Sequence, residues 1–274
     1  MAALQRAGHR VGLLAPTRAG AALRGRGVGE VSELFDWEGA EVAALLAGDA
    51  PRGGPLEEHL RGCQAVLAYT RSLPVIEALQ RRVPRVVAHD PDPRSGHASR
   101  WLADPVRAWG ADPDLLPPPL TPSPQEEDAA AAFCRALPRG FVALHPGSGA
   151  PAKTWPTERF HALATALSPD RPWLLVRGPA EPVGPAPPGA VVASELPLRL
   201  LGAVLARAGL YVGNDSGVSH LAAAEGAPTL ALFGPTAPEV WSPLGPRVLT
   251  LRAPGRAMGE IAVEEVAAKA DLLR

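Results

Sequence analysis

Two spacings of apolar residues run through this chain. Short unbroken apolar runs read as strands, and between them apolar positions recur every three or four residues, as on one face of a helix. In the first half the runs Val11–Ala15, Val31–Phe35, Ala65–Tyr69 and Arg85–Ala88 predict strands, with helices at about Glu41–Leu46, Pro74–Arg82 and His97–Trp109. The stretch "ADPDLLPPPLTPSPQEED", Ala111–Asp128, is rich in proline, has no apolar periodicity and reads as a linker. The pattern then restarts, with strands at Phe141–Leu144, Trp173–Val176, Val191–Ala193, Leu210–Val212, Thr229–Phe233 and Val248–Leu251. Helices are expected at about Thr157–Leu167, Leu198–Ala208, Val218–Glu225 and Val263–Leu272. Strand and helix in alternation predict an α/β protein of two doubly wound parallel-sheet domains, residues 1–120 and 121–274, facing a cleft, with ligands beyond the carboxyl ends of strands.

The beginning is unusual. "MAALQRAGH" reads as the last turns of a helix, with Leu4 and Ala7 on one face and Gly8 as its stop, and no strand precedes it. Composition narrows the function classes. A net charge of −1, with arginines scattered rather than clustered, gives no nucleic-acid footprint. No run approaches the ~18 apolar residues that span a bilayer, and the N-terminus lacks the pattern of a signal peptide. Cys63 and Cys134 have no partner motif, which suits a reducing cytosol and gives no expectation of a metal site. Lysine is nearly absent, only Lys153 and Lys269 occurring, so a lysine that remains in a glycine loop points to a need for a compact charge with three donors.

Candidate chemistry gathers in three loops of the second half. In "YVGNDSGVSHLAAAEGAPTLALFGPT", Tyr211–Thr236, a strand ends at Gly213 and a helix opens near Gly217. The amides of about Ser216 to Ser219 then emerge from a helix N-terminus without internal partners, Gly217 permits close approach, and Ser216 can donate once more. Asp215 would repel an anion, so it either caps the helix or pairs with a cation such as Lys153. His220, in the first turn, is expected to be neutral. The alternative is a plain capping turn with a surface histidine.

The loop "LHPGSGAPAKTWP", Leu144–Pro156, contains Ser148, Gly149 and Lys153. Gly147, Gly149 and Ala152 fit a dinucleotide pattern, and Gly147 to Thr154 fits a phosphate-loop pattern except at Ala152. Both patterns need a helix opening directly from the glycines, whereas Pro151 and Pro156 put the helix start near Pro156, and no acid ends the strand Trp173–Val176. A nicotinamide or ATP enzyme is therefore disfavoured. What remains is an open loop bearing Lys153, which with the Asp-Ser-Gly turn suits a diphosphate. The third loop, "RGPAE", follows a strand with Gly178 and Glu181, whose carboxylate either accepts from ribose hydroxyls or is merely solvated.

These motifs, together with "HASRWLADPVRAWG" and "AMGEIAVEEVAAKADLL", resemble glycosyltransferase family 9, the ADP-heptose:lipopolysaccharide heptosyltransferases. The likeness covers nearly the whole chain and is tightest in the second half. It implies a GT-B fold of two Rossmann-like domains, the second holding an ADP-heptose-like donor and the first a lipid-linked glycan acceptor, with a closing helix that can pack back on the first domain. It also implies inverting transfer with no metal or other cofactor, no nucleic-acid partner, and a cytoplasmic enzyme making transient contact with the inner face of the inner membrane. Carried over residue by residue, Lys153 matches the phosphate-binding lysine, Glu181 the ribose-binding acid, and Ser216, Gly217 and Asp215 the diphosphate turn, with His220 inside that motif. One departure matters. The family opens with a strand, a glycine turn bearing a general-base Asp, and a helix; here the sequence starts in that helix. Either the true start lies upstream, or the protein lacks the usual base and binds a nucleotide sugar without turnover. Asp90, Asp92 and His97 are substitute candidates that nothing in the sequence orients. The family's cysteines ahead of the last helix are also absent.

Overall fold

The computed structural model describes residues 1–25, 27–31, 33–49, 53–114, 116–178 and 186–274. The chain divides into two units, Met1–Leu115 and Leu116–Arg274.

The first unit begins with α1 (Ala2–Arg6), after which Gly8 takes a φ of +86°, a conformation that favours glycine. It continues with β1 (Gly12–Ala15), α2 (Thr17–Ala22), β2 (Glu33–Asp36), α3 (Ala40–Leu46), α4 (Pro55–Gly62), β3 (Val66–Tyr69), α5 (Leu73–Gln80), β4 (Val86–His89) and α6 (Ala98–Ala103). The helix expected over His97–Trp109 changes at Asp104 into a 3-10 helix, Asp104–Trp109. Pro105 explains the change: it has no N–H for the Trp101 carbonyl, which instead accepts from His89 Nε2 at 2.9 Å.

The strands of this unit form two separate parallel pairs, β1 with β2 and β3 with β4, and no ladder joins the pairs among the described residues. Both pairs rest on one apolar layer. Leu14, Phe35, Val66 and Val86 pack against the cluster that includes Val42 of α3, Leu56 and Leu60 of α4, and Leu79 of α5. The residues of β1 and β3 are only half-buried or exposed, because a strand paired on one side has neither flank fully covered. Hydrogen exchange checks the consequence. Amides of β1 and β3 are expected to exchange well before those of the second unit's central strands; equal protection would mean that these edges are covered.

The second unit begins inside the stretch expected to be a linker. α7 (Pro124–Phe133) starts there because Ser123 and Glu126 form a reciprocal capping box: the Ser123 hydroxyl accepts from the Glu126 amide, and the Glu126 carboxylate accepts from the Ser123 amide. Then follow β5 (Val142–His145), α8 (Thr157–Leu167), β6 (Trp173–Arg177), β7 (Ala190–Ser194), α9 (Leu198–Leu205), β8 (Leu210–Asn214), α10 (Gly217–Ala224), β9 (Thr229–Phe233), α11 (Pro238–Trp241), β10 (Val248–Arg252) and α12 (Val263–Asp271). One parallel sheet runs in the order β10-β9-β8-β5-β6-β7. Successive residues serve opposite faces: Val142, Leu144, Leu175 and Val212 join a core with α8 and α12, while Ala143, Leu174, Val176 and Tyr211 join one with α7 and α9. Burial on both sides is why these strands read as continuous apolar runs.

Candidate functional site

Strand order locates the site. After β5 the chain adds β6 and β7 on one side, then crosses back and adds β8, β9 and β10 on the other. Between β5 and β8 the direction reverses, and a crevice opens beyond the carboxyl ends of strands at such a point. The two loops picked out by their residue types leave from these strand ends, where His145 of β5 stands in register with Gly213 of β8. Among the described residues, six polar or charged side chains are buried, and four of them, His145, Asn214, Asp215 and Ser219, lie here. Buried polar groups need partners, so such a concentration marks a built network.

The loop from β5 makes a short 3-10 turn, Pro151–Lys153, and α8 begins only after Pro156, as the prolines require. That turn brings Lys153 Nζ to 2.8 Å from Asp215 Oδ2. The same carboxylate oxygen accepts from Thr236 Oγ1 at 2.7 Å, which gives the Gly-Pro-Thr end of β9 a purpose that the sequence reading missed. Asp215 thus pairs with the lysine and does not cap the helix. Ser216 is the N-cap of α10, yet its hydroxyl makes no cap hydrogen bond. The set of open amides is narrower than expected: Ser219 N–H and His220 N–H donate to Ser216 O, leaving Gly217 and Val218 without an acceptor among the described residues. A Cβ placed on Gly217 would meet no atom within 4 Å, so the side of Gly217 where a side chain would stand borders open space.

Asn214 fastens the two loops together. Fully buried, it accepts from the Trp155 amide at 3.0 Å through Oδ1 and donates to the Pro146 carbonyl at 2.6 Å through Nδ2. Trp155, the second residue after Lys153, is itself fully buried, and its indole N–H donates to Ile261 O at 3.0 Å. Neither role was read from the sequence, because both depend on partners about sixty or a hundred residues away. The remaining loop residues divide. The Ser148 hydroxyl is used inside its own loop, donating to Ala150 O at 2.6 Å with Thr154 Oγ1 2.7 Å away, whereas Gly149 borders open space. Gly178 follows β6 beside β5, and Glu181 lies outside the described residues. His220 is exposed in the first turn of α10.

The acid–base candidates of the first unit are engaged structurally. Asp90 takes Arg71 Nη2 at 2.5 Å and Arg94 Nη2 at 2.9 Å. The Arg71 hydrogen bond above all, assisted by the Asp92 amide and Arg94 against some desolvation, lowers its pKa to about 2. This ion cluster is complete above the ordinary carboxylate range and is lost only as pH falls toward 2, so Asp90 is a feeble proton acceptor at neutral pH. Asp92 pairs with Arg71 at 2.8 Å, and His97 caps α6 by accepting from the Ser99 amide at 3.2 Å.

The parallel sheet and its switch point define an α/β protein of the GT-B class. Solved structures agree: E. coli ADP-heptose lps heptosyltransferase II matches 99% of this chain and 92% of its own with a TM-score of 0.75 at 19% identity. E. coli heptosyltransferase WaaC with ADP matches 100% of this chain and 94% of its own with a TM-score of 0.70 at 18% identity. The family model of glycosyltransferase family 9 (heptosyltransferase) matches residues 86–269, and the chain belongs to that family. Lipooligosaccharide heptosyltransferase 2 of Haemophilus influenzae is 32% identical over 127 residues, 42% of this chain and 37% of that protein. The chain thus spans little more than a third of that curated relative.

One expectation is corrected. No metal or other cofactor was expected, but the iron-containing dodecameric glycosyltransferase TibC from enterotoxigenic E. coli matches 60% of this chain and 46% of its own, at 19% identity and a TM-score of 0.43. Among the described residues, no group of three or more His, Cys, Asp or Glu could hold a metal ion, and the Asp215 carboxylate is shared by Lys153 and Thr236. Among the described residues, no helix is long and apolar enough to cross a membrane.

Proposed function

We propose that the second unit binds the diphosphate of an ADP-sugar at the β5–β8 switch point, and that the protein transfers the sugar, a heptose, to a lipopolysaccharide-core or related cell-envelope glycan. The observation that carries this reading is the pairing of Lys153 with Asp215, which directly precedes the Ser216 hydroxyl and the Gly217 and Val218 amides beyond the end of β8. These donors sit where charge develops. As an acceptor hydroxyl attacks the anomeric carbon with inversion and gives up its proton to water, the bond to the diphosphate breaks and its electron pair leaves on ADP; an ammonium group and fixed amide dipoles stabilise that charge. Lys153 can turn from Asp215 to a phosphate oxygen or serve both, since an ammonium has three donors. Glu181 is proposed for the ribose. The first unit is proposed to hold the lipid-linked acceptor, which would place the work at the inner face of the inner membrane.

A second reading has its own support. Asp90, Asp92 and His97 are all tied into ion pairs or a helix cap, which favours a protein that holds a nucleotide sugar without turning it over. Calorimetric titration with ADP, followed by an assay of sugar transfer from ADP-heptose to a lipopolysaccharide-core acceptor, separates the two. Binding with transfer supports the enzyme, binding without transfer the silent binder, and no heat with ADP removes both.

A further inference from the structure

His145 is buried, 4% exposed, at the end of β5, and the proposed transfer gives it no task. Its Nδ1 lies 3.3 Å from the Ser216 hydroxyl oxygen. The hydrogens around that hydroxyl can be counted. Ser219 Oγ stands 2.6 Å from the Asn214 carbonyl, which only accepts, so the one Ser219 hydroxyl hydrogen is spent there. Tyr211 Oη, 3.1 Å from Ser219 Oγ, must therefore be the donor in that pair. Ser219 Oγ, 3.4 Å from Ser216 Oγ, can accept but has nothing left to give. Gly213 keeps the arrangement possible, since a Cβ there would come within 2.3 Å of the Tyr211 hydroxyl. His145 Nδ1 is the nearer of the two groups that can take the Ser216 hydrogen, and it alone can also donate to that hydroxyl. With Nδ1 bare, the ring competes for that hydrogen; with Nδ1 protonated, it donates to Ser216 Oγ and leaves the hydrogen to turn outward.

We infer that His145 is a positioning residue for the diphosphate site: an anion at the α10 N-terminus selects the Nδ1–H form of His145, which turns the Ser216 hydroxyl into a donor toward it. The inference rests on the diphosphate reading above and adds a residue to it. An anion accepts and never donates, so it gains most from the arrangement in which Nδ1–H donates to Ser216 Oγ and no longer competes for the Ser216 hydrogen.

Nitrogen-15 spectra of the imidazole, free and saturated with ADP, read the tautomer directly; the Nδ1 resonance is expected to be in the protonated range in the complex. His145→Leu is expected to weaken ADP about tenfold, the scale of one charge-assisted hydrogen bond. His145→Asn, whose amide nitrogen can stand in for Nδ1, should stay within about threefold, while His145→Gln, with its amide one carbon further out, should resemble leucine. In a Ser216→Ala background, His145→Leu should cost nothing further. That cycle separates positioning through Ser216 from general loosening, which would lower affinity in both backgrounds. A bare Nδ1 in the ADP complex, or an equal loss with and without the serine, overturns the inference while the diphosphate reading stands. If the unaltered protein takes up no ADP, that reading itself falls, and this one with it.

Discussion

Lys153→Ala will weaken ADP binding by about 1.5–3 kcal/mol, roughly ten- to a hundred-and-fifty-fold. The size follows from what is left behind. Lys153 reaches Asp215 at 2.8 Å, and the Asp215 side chain is 9% exposed. Without the ammonium, that carboxylate keeps Thr236 as a donor but stands unneutralised beside the place proposed for a diphosphate. The substitution therefore removes an attraction and uncovers a repulsion. A companion change resolves the two parts: Asp215→Asn added to Lys153→Ala should restore some of the lost affinity, because only the repulsion is then relieved. Calorimetry on the two variants measures both quantities. An ADP affinity unaltered by Lys153→Ala would remove the lysine from the site, and with it the main support for the diphosphate.

Asn214→Ala should act on stability. The side chain has no exposure, and its loss strands the Trp155 amide and the Pro146 carbonyl in a place that water does not reach. Two orphaned buried groups cost about 2–4 kcal/mol together. For a unit of this length each kcal/mol moves the midpoint by about 2–4 °C, so a fall of roughly 5–15 °C in the second unit's thermal transition is expected. Asn214→Asp should be no milder, since it keeps an acceptor for Trp155 but turns a carboxylate oxygen toward the Pro146 carbonyl. Differential scanning calorimetry decides; a shift below about 2 °C would show that the two loops are held by other means.

The second unit was largely legible because its strands are covered on both faces and announce themselves as apolar runs, from Phe141 to Leu251. Pro156 marked the start of α8, and the rarity of lysine singled out Lys153. Misses had local causes. α7 was lost among prolines: of its ten residues only Ala130 is buried, so the apolar pattern was faint, although Ser123 and Glu126 stand at capping-box spacing. α2 and α4 were missed in the first unit, where the helices are short and few positions face a core. In the site, Asp215 and Lys153 could be matched by charge. Asn214, Thr236 and His145 could not, because such residues carry no mark of a partner brought near only by parallel strands from separate parts of the chain.

The indole of Trp155 reaches the Ile261 carbonyl, which Arg159 Nη1 also meets at 2.5 Å, and Ile261 leads into α12. The start of α12 is thereby moored to the stretch that carries the lysine. Loosening α12 would be felt more than a hundred positions earlier in the chain, as slack in the ammonium group's reach.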